Sequence, residues 1–352
     1  ESIKYVHKDD GFCTVPEHVN HRTVRDGFLN LYEPIGHKPI QGDFPNIKKL
    51  VSHIFGEQYE LGMDYLQLLY LRPVQKLPIL LLVSEERNTG KTTFLNFLKA
   101  LFQDNVTFNT YEDFRSQFNS DWAGKLLIVV DEVLLSRRED SERLKNLSTT
   151  LSYKVEAKGK DRNEISFFAK FVLCSNNESL PVIIDEGETR YWVRKISSLQ
   201  ADDTNFLEKL KAEIPALLFH LQGRTLSTEH KSRMWFAPEQ IATDALRRII
   251  RCNRNRLEVE MSELYLEVME NTQTDSLQFC LNDAIALLQC NHVKAEKHLV
   301  RKIVQDCWKL QPSENALTYT SYEDNYNSSG RYSPTKRVGR FYTVTRDKLN
   351  SI

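Results

Sequence analysis

The stretch LLLVSEERNTGKTTFLNFLKALF, residues 80 to 102, decides the reading of this chain. A continuous apolar run of strand length, PILLLV at 78 to 83, meets the polar segment SEERNTG. TTFLNFLKALF then places Phe94, Leu95, Leu98, Leu101 and Phe102 on one face of a helix. Strand, loop and helix in that order are the context a phosphate-binding loop requires, and Gly90, Lys91 and Thr92 fill the second half of G-x-x-x-x-G-K-[ST]. Glu85 stands where the first glycine of that pattern belongs. It lies early in the loop, farthest from the N–H groups that meet phosphate, so a distorted but working loop is expected. On this reading Asn88, Thr89, Gly90, Lys91, Thr92 and Thr93 cradle the phosphates of ATP. Lys91 reaches the terminal phosphates and the Thr92 hydroxyl ligates Mg²⁺. The bland alternative is a surface helix capped by Thr89.

Two further apolar runs, LLIVV (126 to 130) and KFVLCS (170 to 175), have the composition of strands buried on both faces of a parallel sheet. The first delivers Asp131 to the carboxyl end of the sheet, where it can hold a Mg²⁺-bound water, with Glu132 beside it to polarise the attacking water. The second ends in Asn176 and Asn177, and a neutral amide there can orient the water without repelling the γ-phosphate. An Asn pair also makes a good turn. In DEGETRYWVRKI come Arg190 and Arg194, and an arginine presented to a nucleotide can stabilise the charge of phosphoryl transfer. The order of loop, Asp-Glu strand, Asn strand and arginine carries more than any member does alone.

Composition bounds the rest. With 352 residues, 41% hydrophobic and 27% charged, the chain has room for two or three globular domains. The 47 basic and 48 acidic residues cancel, so affinity for nucleic acid must come from local patches. Cys13, Cys174, Cys252, Cys280, Cys290 and Cys307 are scattered without a CxxC pair, which argues against a zinc cluster or a secreted disulfide scaffold and for reduced thiols in the cytoplasm. No long apolar run calls for a membrane. Because the sequence opens at Glu1, it reads as a fragment of a longer polypeptide. The expected organisation is an N-terminal segment with a helical pair (1–75), an α/β core with a parallel central sheet (76–225), and a C-terminal, mostly helical domain (226–352). In the last, LQFCLNDAIALLQC and AEKHLVRKIVQDCW read as amphipathic helices, and RFYTVT as a strand, in keeping with a winged-helix-like unit.

The motifs ERNTGKTT, LLIVVDEV, the basic segment VEAKGKDRNE and FVLCSNN, followed by ETRYWV, make the chain resemble the superfamily 3 helicases of the AAA+ class. The likeness is greatest to the helicase half of phage and plasmid primase-helicases related to the poxvirus type. It extends over about residues 76 to 200. The resemblance implies an AAA+-like P-loop core and an ATPase that translocates on single-stranded nucleic acid, DNA foremost, as a hexameric ring. Arg190 would enter a neighbour's site, a primase or polymerase domain would lie upstream, and the setting would be the cytoplasm of a prokaryote or a phage-infected host. Lys91, Glu132, Asn176 and Arg190 would then carry catalysis, with Thr92 and Asp131 at the metal. VEAKGKDRNEISFF (155 to 168) reads on its own residues as a hairpin with a basic tip. In the family it resembles, that hairpin projects into the ring channel, which makes Lys158 and Lys160 the candidate nucleic-acid contacts. RRIIRCNRNR (247 to 256) could put Arg247, Arg251 and Arg254 on one helical face toward phosphates or another subunit, and a solvated face explains it as well. The rival to a motor is an AAA+ module that uses ATP as a switch for initiator or partner assembly without unwinding.

Overall fold

The computed structural model describes residues 11–110, 113, 122, 124–135, 138–155, 163–185, 187–199, 203–253, 256–327 and 330–351. The chain divides into two compact units, Glu1–Asn253 and Arg254–Ile352. The boundary expected near 226 therefore falls later, and residues 1–75 form no unit of their own. The cause is packing. Trp235, Phe236 and Ile241 join the same hydrophobic core as Ile47, Leu50 and Leu66, while Leu246 and Ile249 join the core on the other face of the sheet. Thr243 Oγ1 also donates to the Val193 carbonyl at 2.6 Å.

The first unit opens with a small sheet of β1 (Phe12–Cys13), β2 (Val24–Arg25) and β3 (Phe28–Asn30). Helices α1 (Pro45–Phe55) and α2 (Tyr59–Leu71) follow, divided by the short helical turn Gly56–Gln58. The central sheet comprises β4 (Ile79–Val83), β5 (Val106–Asn109), β6 (Leu127–Val130), β9 (Lys170–Ser175) and β10 (Tyr191–Lys195). Its order is β10-β4-β9-β6-β5, with every pairing parallel. Every residue of β4, β6 and β9 is buried, the requirement for strands covered on both faces. Helix α3 (Lys91–Phe102) runs directly from the loop after β4 and buries Phe94, Leu95, Leu98, Leu101 and Phe102, as its spacing predicts. Burying side chains of this size contributes about 1.5–3 kcal/mol each, which is ample to fix the register of α3 against the sheet. Helix α4 (Arg138–Thr149) contributes Leu144 and Leu147 to the opposite face. Strands β7 (Ser152–Val155) and β8 (Asn163–Ser166) pair antiparallel as a hairpin stem. Helix α5 (Phe206–Gly223) packs with α1 and α3, and α6 (Asp244–Cys252) against β10. The fold is an AAA+-like P-loop core, with the strand that carries the Asn pair inserted between the loop strand and the Asp-Glu strand.

The second unit runs α7 (Arg256–Thr272), β11 (Ser276–Phe279), α8 (Leu281–Cys290), α9 (Lys297–Lys302), β12 (Leu317–Asn327), β13 (Gly330–Gly339), β14 (Tyr342–Thr345) and α10 (Arg346–Ser351). Its core holds Met261, Tyr265, Val268, Val304, Trp308 and Val344. The order helix, strand, helix, helix, hairpin is the one a winged-helix-like unit requires. It is less helical than expected. Residues 317–339, rich in Tyr, Ser and Asn, hold the long hairpin β12–β13, and Leu277–Phe279, read as helical, lies in β11 against β14. Among the described residues no helix is long and apolar enough to cross a membrane.

Candidate functional site

A cleft of about 350 Å³ lies at the carboxyl edge of the central sheet, at the lower end of the range for small-molecule sites. The residues predicted to hold phosphate, Asn88, Thr89, Gly90, Lys91, Thr92 and Thr93, all line it. So do Asp131, Glu132 and Asn176, delivered by the ends of β6 and β9. The sequence order loop, Asp-Glu, Asn thus becomes one site because three parallel strands end side by side.

The loop reaches α3 through two left-handed residues, Asn88 at φ +52° and Gly90 at φ +79°. Only a residue tolerant of that region suits either position. A Cβ on Gly90 would also approach Leu199 and His53 at 3.5 and 3.8 Å. The carbonyls of the loop are engaged elsewhere: Leu199 N–H donates to Asn88 O at 2.9 Å, and His53 Nε2 lies 2.9 Å from Thr89 O. The N–H groups of the first turn of α3 have no partners within the helix, and they supply an anion site where helix polarity adds partial positive charge. Lys91 is buried beside them. Burial pulls its pKa below the ordinary lysine value, against the opposing pull of Cys174, Asp131 and Glu178.

Thr92 Oγ1 donates to Asp131 Oδ2 at 3.0 Å. One hydroxyl and one carboxylate oxygen suit Mg²⁺, which keeps waters and takes few protein ligands. A cage of three or more His, Cys, Asp or Glu is absent among the described residues. The residues present therefore fit a magnesium nucleotide rather than a metal held by protein alone. Glu132 adopts φ +58°, a strained backbone for this residue type. Asn176 Nδ2 stands 3.5 Å from Glu132 Oε1, so the two side chains face one position.

The arginines lie elsewhere. The Arg190 carbonyl accepts from Ile79 N–H at 2.8 Å, which places Arg190 at the amino end of β4 and β10. The five paired residues of those strands separate it from the loop by roughly 16 Å at about 3.3 Å per residue. Its guanidinium pairs with Glu188 at 3.0 Å. Arg190 therefore does not join the cleft of its own chain. Arg194 is buried and bound to Glu57 Oε1 at 2.7 Å and Gln58 Oε1 at 2.9 Å, a structural tie to the turn after α1. Of the later arginines, Arg247 pairs with Asp244 at 2.6 Å, while Arg254 lies outside the described residues. Lys158 and Lys160 also lie outside them; the stem that leads to them, β7–β8, is formed.

One residue was not foreseen. Glu178, almost fully buried, accepts the Glu85 N–H at 3.1 Å and pairs with Lys195 at 2.8 Å and Arg248 at 3.2 Å. Despite the opposing effect of burial, these partners hold its carboxyl below the usual range. It fastens the start of the phosphate loop where the sequence lacks a glycine, from the turn that also carries Asn176. A glutamate directly after an Asn pair gives no sequence signal of this.

Residues 82–194 match a family of unknown function, DUF5906. No curated protein matches the chain. Among solved structures, the apo C-terminal region (305–718) of NrS-1 aligns with a TM-score of 0.65 at 17% identity, over 87% of this chain and 79% of that one. Its A form aligns at 0.63 and 16%, over 88% and 81%. JCV helicase with a bound thiazolopyridinyl acetamide compound aligns at only 0.35 and 12%, over 64% and 66%, a likeness too loose to carry an argument. At these identities the shared property is the fold.

Proposed function

We propose that the chain is an ATP-driven motor of the superfamily 3 helicase kind, hydrolysing MgATP at the cleft and translocating on single-stranded nucleic acid, DNA foremost, as a hexameric ring. The observation that carries this reading is the convergence of Lys91, the Thr92–Asp131 pair and the Glu132–Asn176 pair on one cleft at the ends of β4, β6 and β9. The bound metal supplies charge neutralisation at the phosphates. The rest falls to the protein. N–H groups at the start of α3 and the Lys91 ammonium hold the polyphosphate, and Thr92 and Asp131 hold the metal. Glu132 takes a proton from the attacking water while Asn176 orients it. Arg190, remote from its own cleft, serves a neighbouring subunit's cleft in this reading, and the β7–β8 hairpin carries Lys158 and Lys160 to the strand in the channel. A primase or polymerase upstream is part of the same proposal.

The deciding experiment measures ATP hydrolysis and duplex unwinding on one preparation, with Glu132→Gln as control. A motor shows both, and the variant loses both while still binding ATP; the loss expected from removing a general base is about 10²–10⁴-fold. Hydrolysis with no unwinding under any strand polarity would favour the switch module for partner assembly instead.

A further inference from the structure

The arginines of the hairpin and the C-terminal helix in the second unit are neutralised. Arg331 pairs with Glu267 and, at 3.3 Å, with Asp324. Arg337 meets Asp283 at 2.7 Å and Glu323 at 2.5 Å, and Arg346 meets Asp275 at 3.1 Å. Arg301 and Arg340 break that pattern. Together with Lys297 they are exposed, border a cleft of about 450 Å³, and have no ion-pair partner among the described residues. Lys297 and Arg301 stand four residues apart on one face of α9, while Arg340 comes from the turn between β13 and β14. Asn282 and Gln305 supply amides to the lining, and no carboxylate does.

We propose that this cleft binds the phosphodiester backbone of nucleic acid, through charge and without reading bases. The inference is independent of the ATP site. Three exposed, hydrated cations give a small free anion little, because each interaction is weakened by water. A polyanion that neutralises all three at once releases its condensed counterions, and that gain needs no burial. Base reading is disfavoured by the one aromatic residue of the cleft. Tyr342 is buried, packs against Phe279 with ring centroids 5.8 Å apart, and accepts from Gln305 Nε2 at 2.8 Å, so its ring is not offered for stacking.

Three phosphate contacts predict that log K falls with log salt with a slope of about −2.7 on duplex DNA or −2.1 on single strands. Between 50 and 200 mM salt this site's contribution then drops about 40-fold or about 18-fold. The test measures fluorescence anisotropy of a labelled single strand and of a labelled duplex with the full chain. It compares a chain that is wild type at this cleft with the triple variant Lys297→Gln, Arg301→Gln, Arg340→Gln, every chain tested also carrying Lys158→Ala and Lys160→Ala to remove the other candidate contact. The neutral triple variant should flatten the slope by one of those amounts and weaken binding at 50 mM by at least tenfold, with an unchanged thermal melt. Which probe responds identifies the form bound. The charge-keeping set Lys297→Arg, Arg301→Lys, Arg340→Lys should retain wild-type slope. Wild-type affinity and slope in the neutral variant would overturn the proposal, as would equal loss in the charge-keeping set. Capture of vesicles rich in anionic lipid, with no binding of either oligonucleotide, would also overturn it and assign the cleft to a membrane surface.

Discussion

At the carboxyl end of the central sheet, β4, β6 and β9 run out into Lys91, Asp131, Glu132 and Asn176 around a cleft. At the amino end of the same strands, Lys76 and Lys170 are buried, Lys76 donating to the Phe167 carbonyl at 2.7 Å and Lys170 to that of Pro73. Neither lysine has a carboxylate partner among the described residues. Burial and the mutual repulsion of the two push Lys170 far below its ordinary pKa, and burial brings Lys76 to about 8. His18, lowered to about 3 by burial and by Lys170, belongs to the same end. Polar groups at the amino end thus include two buried lysines satisfied by backbone carbonyls, which serve stability. At the carboxyl end polar groups face one another across a cleft open to a ligand. A charged residue in a strand is therefore informative about function only once the end of the sheet it occupies is known.

Arg190 offers the largest test of this contrast, since it sits at the amino end and yet is assigned a catalytic role. If it acts on a neighbouring cleft, Arg190→Ala should lower hydrolysis by about 10³-fold or more. Mixed assemblies of Arg190→Ala and Lys91→Ala chains should regain hydrolysis that neither has alone, because some interfaces join an intact loop to an intact arginine. Absence of recovery in verified mixed assemblies would return Arg190 to its structural pairing with Glu188.

Glu178 sharpens the carboxyl-end half. Glu178→Ala should raise the KM for ATP about tenfold, as loss of a charge-assisted hydrogen bond to the loop implies. Glu178→Gln, which keeps an acceptor for the Glu85 N–H, should recover part of that loss. Steady-state kinetics on both variants decides it: equal defects would mean that the ion pairs to Lys195 and Arg248, rather than the loop contact, matter.

The smallest effect concerns the amino end and pH. His18 and Lys76 both have folded pKa values below their unfolded ones, so the unfolded chain binds more protons in between and stability rises with pH across each window. Stability should climb from about pH 3 to 6.5 through His18 and again from about pH 8 to 10.5 through Lys76. Urea melts at stepped pH measure it. His18→Gln should remove the acid slope and leave hydrolysis at neutral pH within about twofold, whereas parallel loss of hydrolysis would erase the distinction between the two ends.

Much of the carboxyl end was legible in the sequence because strands buried on both faces are continuous apolar runs, and the residues after them are polar in a fixed order. The contact between Thr92 and Asp131 follows from parallel strands ending together. Glu178 was illegible, since its role depends on which backbone N–H lies above it. The hairpin β12–β13 was missed because its alternation is polar on both sides: Tyr319 and Ser321 are buried, yet serine carries no apolar signal. The boundary at 226 was misplaced because the change to helical patterning there marks a change of element, while Trp235, Phe236, Leu246 and Ile249 still complete the first core.

The central claim is that the cleft at the start of α3 binds MgATP through the Lys91 ammonium and the loop N–H groups. Its most direct test is equilibrium binding of MgATP to the wild-type and Lys91→Ala chains by calorimetry, run in two buffers of different ionisation enthalpy. The wild type should bind and, at alkaline pH, take up protons, because phosphate favours the charged form of a lysine whose pKa burial has lowered. Lys91→Ala should bind at least tenfold more weakly, lose the proton uptake and melt at an unchanged temperature. Equal affinity and equal proton uptake in the two chains would contradict the account.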